Sequence, residues 1–190
     1  MLFAVPLIWL IYNWTLLLTY QPHALGFNPQ EMTHHTTGDW ALRVLLITLC
    51  ISPLTQWRPA RSLMLYRRMA GLWSFAYILL HILSYIWLEK FFDWSEIGGD
   101  IVKRPYITVG MLTFVCLLPL AITSTKGWVK RLGAARWQLL HRLVYIAILL
   151  APLHFIMMRK GWQLEPRLYA IMALGLIAAR LVIKLRKLSR

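Results

Sequence analysis

Three histidines, His81, His141 and His154, sit inside long apolar stretches of the chain. An ionisable side chain at membrane depth is costly, and it normally faces a bundle interior with a partner. For one such histidine, a neutral imidazole bonded to a neighbouring carbonyl or hydroxyl is explanation enough. Three on two segments, with no Asp or Glu inside any apolar stretch, point further. A proton pathway would normally want a carboxylate. A haem iron takes neutral imidazoles and no acid. Zinc usually recruits a cysteine or a carboxylate as well.

Depth sorts the three. His81 lies eight residues before Glu89, and His154 five before Arg159. At the helical rise these offsets are roughly 12 Å and roughly 8 Å, close enough for one iron to be held from two sides. His141 is thirteen residues earlier than His154, roughly 20 Å deeper along the same helix. The spacing therefore predicts one bis-histidine site near one face and one unpaired histidine near the other. Thirteen residues also leave His141 and His154 about 140° apart on an ideal helix, so both face one partner only if the helix is distorted. Pro152 is the expected source of that kink.

The elements that must carry these residues are apolar segments at about 1–20, 40–57, 69–88, 105–123, 137–157 and 166–183. Each is about long enough to span a bilayer as a helix. Of the 190 residues, 59% are hydrophobic and 15% charged, and mean hydropathy is +0.57. Such values argue against a soluble fold and against disorder. The expected fold is all-α, an integral membrane six-helix bundle forming a single domain over residues 1–190. Its loops are too short for a soluble activity, which is expected to belong to a partner. The first segment lacks a basic n-region, and Gln21-Pro22-His23 is a poor cleavage site, so it is read as a retained helix, a signal anchor being the alternative. Cys50 and Cys116 read as buried apolar residues without a disulfide.

The charge is uneven. With the N-terminus cytoplasmic, one set of segment ends carries 14 basic residues and no acid, and the other carries 7 basic and all 7 acidic residues. In short loops that asymmetry predicts both termini on the cytoplasmic side. A net charge of +14 on segment ends suits anionic lipid and does not imply nucleic acid. Trp40, Trp57, Trp87, Trp137 and Trp162 fall at expected helix ends, where indoles sit among headgroups.

The run from Arg67 to Tyr85 (RRMAGLWSFAYILLHILSY) resembles the third helix of the ferric reductase-like transmembrane domain. Trp137 to Tyr145 (WQLLHRLVY) and Leu150-Ala151-Pro152-Leu153-His154-Phe155 resemble its fifth. Arg104 to Gly110 (RPYITVG) and Pro119 to Ser124 (PLAITS) are similar to the short bacterial branch, the haem-binding membrane subunits of protein-methionine-sulfoxide reductase systems. The likeness runs over roughly residues 33–183. It implies a b-type haem protein of the bacterial inner membrane. Electrons would come from the quinone pool, with FMN also implied, and would pass to a periplasmic molybdopterin methionine-sulfoxide reductase subunit.

Large members of that superfamily place two histidines on each of two helices and stack two haems. Here Arg67 or Arg68 stands where the inner histidine of the third helix would be. His141 is thus left with a five-coordinate haem, a flavin or a quinone as the open readings. Arg142 beside it reads either as a partner for a propionate or phosphate, or as a snorkelling side chain. His35 matches a His-x-Thr-Gly stretch of the resembled subunits, but His23, His34 and His35 are read as solvated loop histidines. Tyr77, Tyr85 and Tyr145 read as packing residues. The other function class is a metal- or proton-translocating membrane subunit without haem, disfavoured by the lack of buried carboxylates.

Overall fold

A computed structural model describes residues 2–56, 58–159 and 161–189. Trp57, Lys160 and Arg190, used above for the aromatic belt and the charge count, lie outside the described residues. The described chain is helical, with no strand. Five of its helices are long and apolar enough to cross a membrane, over Pro29–Leu54, Ala60–Glu89, Pro105–Ile122, Ala134–Met158 and Leu164–Arg186. The expected first span is a shorter apolar helix, Leu2–Leu18.

Local chemistry sets the boundaries. Helix α1 covers Val5–Leu18. Helix α2 covers Pro29–Leu54 and starts eleven residues before the expected position. Its start is a capping arrangement: the Asn28 side chain accepts the Glu31 N–H at 3.2 Å, and Pro29 fills the first turn. His34 and His35 are therefore helical, which corrects their reading as loop residues. Helix α3, Arg67–Ser84, runs into a π-turn at Tyr85–Glu89. The loop that follows holds a short helix, α4 (Trp94–Lys103), capped by the Asp93 carboxylate on the Glu96 N–H at 2.9 Å. Pro105 opens α5, Pro105–Ile122.

Helices α6 (Lys126–Leu132) and α7 (Ala134–Leu140) meet at Gly133, whose φ of 75° only glycine adopts without strain. The span Ala134–Met158 is interrupted at His141-Arg142, between α7 and α8 (Leu143–Met158). The distortion expected in this helix therefore occurs at His141, and Pro152 lies buried within an unbroken α8. Helix α9, Leu164–Leu188, closes the bundle.

Two helix pairs organise the packing: α2 with α3, and α5 with α8. Small residues let α2 and α3 approach closely. Ala70 is fully buried, and Ser74 Oγ donates to the Ala41 carbonyl at 2.8 Å. The shared core joins Leu42, Leu45 and Leu49 of α2 to Leu117 of α5, Ile148 of α8 and Ala173 of α9. Arg180 latches α9 to the rest by donating to the Leu49 carbonyl at 2.7 Å and to the Tyr145 hydroxyl at 3.0 Å. Large apolar side chains such as Val115, Leu153 and Ile171 stay exposed, as a lipid-facing surface requires.

Candidate functional site

His81 on α3 and His154 on α8 face each other with ring centres 6.3 Å apart and ring planes at 84°. Each ring is held by a backbone carbonyl of the helix paired with its own. His81 Nδ1 lies 2.9 Å from the His34 oxygen on α2, and His154 Nδ1 lies 2.6 Å from the Tyr106 oxygen on α5. A carbonyl only accepts, so both Nδ1 atoms carry the proton. Both Nε2 atoms are then unprotonated lone-pair donors. Neither bonds a described residue, and neither is among the buried unpartnered atoms.

That arrangement fits an iron bound between two imidazoles. With metal–nitrogen distances of about 2 Å, rings on opposite sides of one ion have centres roughly 6 Å apart. A carbonyl accepting the distal N–H is the usual second-shell support of a metal-bound histidine. A pair of neutral imidazole donors suits a haem iron.

Two glycines complete the seats. A Cβ at Gly38 would lie 3.0 Å from both Cε1 and Nδ1 of His81, and a Cβ at Gly110 would lie 3.0 Å from the same atoms of His154. His34 adds a layer on one side only. Its ring stacks on His81 with centres 3.9 Å apart and planes 21° apart. Ser84 Oγ donates to the His81 carbonyl at 2.8 Å, so its lone pair receives the His34 Nδ1–H at 3.0 Å. Glu89 stands 3.8 Å from that same nitrogen. His35 points away to Glu31, 3.5 Å distant.

A polar cluster beside α4 ties both ligand-bearing pairs together. Asp100 is 7% exposed and meets Lys90 Nζ at 2.8 Å, Arg104 Nε at 2.9 Å and the Tyr85 hydroxyl at 2.9 Å. Tyr85 is one turn beyond His81, and Arg104 directly precedes the Pro105-Tyr106 segment that holds His154. The hydrogen bond from Lys90 keeps the Asp100 carboxyl below its ordinary range. Asp100 and then Glu96, which Lys90 also contacts, raise the Lys90 ammonium above its ordinary value.

His141 lies elsewhere. It borders a cavity of about 390 Å³ whose rim carries Arg67, Arg68 and Lys126. Trp137 stacks on its ring at 3.9 Å and donates its indole N–H to the Thr123 carbonyl at 2.9 Å. The Thr123 hydroxyl donates to the Pro119 carbonyl at 2.6 Å, so it accepts Nε2–H of His141 at 3.1 Å. His141 is therefore the opposite tautomer from the other two. Arg142 is exposed and absent from the cavity wall.

The structure thus brings His81 and His154 together and sets His141 apart. Sequence reasoning missed His34, Ser84, Gly38 and Gly110. One signal was available: His34-His35-Thr36-Thr37-Gly38 and Tyr106-Ile107-Thr108-Val109-Gly110 share a Thr and a Gly at the same offsets.

Residues 37–152 match the family described as "Ferric reductase like transmembrane component". Curated relatives named "Protein-methionine-sulfoxide reductase heme-binding subunit MsrQ" are similar over most of the chain. That of Caulobacter vibrioides is 43% identical over 82% of this chain and 74% of its own length. That of Rhodospirillum rubrum is 48% identical over 86% and 78%. The protein of Herminiimonas arsenicoxydans is 51% identical over 72% and 63%.

Proposed function

The chain belongs to the MsrQ family of haem-binding subunits within the ferric reductase-like transmembrane proteins, and from that premise we propose that it is the electron-carrying membrane subunit of a methionine-sulfoxide reductase system. The observation that carries this reading is the closeness of the His81 and His154 rings, centres 6.3 Å apart, with each Nδ1 held by a carbonyl and neither Nε2 bonded to a described residue. A bound b-type haem supplies one-electron exchange between ferric and ferrous iron. His81 and His154 would hold the haem as two neutral imidazole donors, with their orientation fixed through the His34 and Tyr106 carbonyls near the ends of α3 and α8.

The acceptor in this reading is a periplasmic molybdopterin subunit. There two electrons and two protons convert a methionine sulfoxide to methionine and water. The bacterial inner membrane is the location, with both termini cytoplasmic. Support comes from the 14-to-7 division of basic residues and from the acids gathered near the His81/His154 end. The outer segments balance 7 basic with 7 acidic residues, which suits transient polar docking.

Electron input belongs at the opposite end. The cavity beside His141 has three cations on its rim and the size of a small-molecule site. Arg67, Arg68 and Lys126 would hold the phosphate of FMN there, with the quinone pool as the source of electrons.

Dithionite-reduced protein is expected to show sharp low-spin cytochrome bands, and His81→Ala and His154→Ala each to abolish them. A preparation without a Soret band would remove the reading and leave a metal- or proton-translocating subunit in its place.

A further inference from the structure

The two candidate ligands are seated by one device used twice. On α2 the carbonyl of His34 receives His81 Nδ1–H, and Gly38 follows four residues later. On α5 the carbonyl of Tyr106 receives His154 Nδ1–H, and Gly110 follows four residues later. A residue four positions on in a helix sits directly over that carbonyl, on the same face. A Cβ at either glycine would meet Cε1 and Nδ1 at 3.0 Å, with Cγ at 3.7 Å in one case and 3.6 Å in the other. The contact is the same to within a tenth of an ångström on two helices of different sequence. Other helical glycines differ: Gly71 meets Thr48 Cγ2 at an ordinary 3.6 Å, and Gly98, Gly99 and Gly175 meet nothing within 4 Å. Glycine is also the poorest helix former after proline, so its presence in two spans at these positions needs a local reason.

We propose that Gly38 and Gly110 are paired positioning residues: each opens a slot in which an axial imidazole lies flat against the neighbouring helix, so that the carbonyl behind it fixes the ring's rotation and sets the two rings nearly at right angles. This deepens the haem reading and rests on it. An added methyl leaves the imidazole no room at its present depth. The ring must then give by a few tenths of an ångström, which lengthens the hydrogen bond from Nδ1–H to the carbonyl and loosens the rotation that this bond fixes. Right-angled axial planes leave the two upper dπ orbitals of low-spin ferric iron nearly degenerate, whereas parallel planes split them. The ring angle can therefore be read by electron paramagnetic resonance without any turnover.

The experiment compares detergent-purified ferric wild type, Gly38→Ala, Gly110→Ala and, as control, Gly175→Ala, each first shown to be helical and monodisperse. The wild type and Gly175→Ala are expected to give the highly anisotropic low-spin signal of crossed planes. Gly38→Ala and Gly110→Ala are each expected to lose it, to a rhombic low-spin or a high-spin signal, with a shifted midpoint potential. Folded Gly38→Ala and Gly110→Ala that both keep the wild-type signal and potential overturn the proposal while leaving bis-histidine haem binding intact. If neither variant folds, the wild type decides: a crossed-plane signal upholds the fixed rotation, and a rhombic signal overturns it. Wild-type protein with no low-spin haem at all removes the haem reading and this inference with it.

Discussion

The ring of His34 lies 3.9 Å from that of His81, and the carbonyl of the same residue accepts the His81 Nδ1 proton. One residue thus supports a candidate iron ligand twice, once through its backbone and once through its side chain. The two contributions are separable, because substitution removes only the second.

His34→Ala is accordingly expected to keep a low-spin spectrum while binding haem more weakly. Loss of a supporting contact behind a metal-bound histidine typically weakens affinity by about tenfold or more. Haem per polypeptide, together with titration of haem-depleted protein, measures the effect. A His34→Ala protein as haem-replete and as tight as wild type would show that the stack contributes nothing.

At the other end, His141→Ala is expected to leave the low-spin signal of the His81/His154 pair unchanged and to slow reduction by a quinol or by reduced FMN. The ring borders the cationic cavity and shares no described contact with the facing pair. Rapid mixing with each reductant reports the rate. Unchanged rates with both would return His141 to the role its Thr123 bond already provides, that of a satisfied membrane histidine.

The cluster at Asp100 should carry a pH signature. Its folded-state pKa lies below the ordinary value, so its stabilising contribution is fully present above about pH 4 and is lost as pH falls through the lowered value. Lys90 has the opposite sign: its raised value gives a contribution present below the ordinary lysine pKa and lost only at strongly alkaline pH. Asp100→Asn should therefore lower the thermal midpoint clearly at neutral pH, since it leaves Lys90 and Arg104 without their shared counter-charge. The gap to wild type should shrink as the buffer is taken below about pH 4. A gap independent of pH would mean that packing, not the carboxylate charge, is what the substitution removes.

Orientation is testable with reporters at the C-terminus. A fluorescent protein fused there should glow, and alkaline phosphatase should be inactive, if the end rich in Arg180, Lys184 and Arg186 is cytoplasmic. The reverse result would turn the molecule over and invert the proposed direction of electron flow.

The spans were legible because apolar runs of bilayer length are a property of composition alone. His81 and His154 were legible as a pair because each falls at a similar distance from a charged segment end. The start of α2 was not, since the polar run His34-His35-Thr36-Thr37-Gly38-Asp39 hides a helix that is marked only by the Asn28-Pro29 cap. The break at His141 escaped for a different reason. Thr123, at the end of α5, bonds the ring from a neighbouring helix, a tertiary contact without a periodic signature, while Trp137 stacks on it from four residues earlier in α7. Gly38 and Gly110 looked like ordinary weak points in helices until the rings lying over them were in view.

Helix α2 has 26 residues and so rises about 39 Å, whereas the hydrocarbon layer is about 30 Å thick. An untilted α2 therefore extends about 9 Å past that layer if its other end is flush with it, and His34 stands only one to two turns from its N-terminus. The facing rings then lie beside the boundary between oil and water, not at mid-bilayer. In the proposed orientation, the proposed acceptor would need no channel and no moving gate to reach them, only a surface that can come within tunnelling range of that turn. Discrimination among acceptors becomes a matter of contour and closest approach.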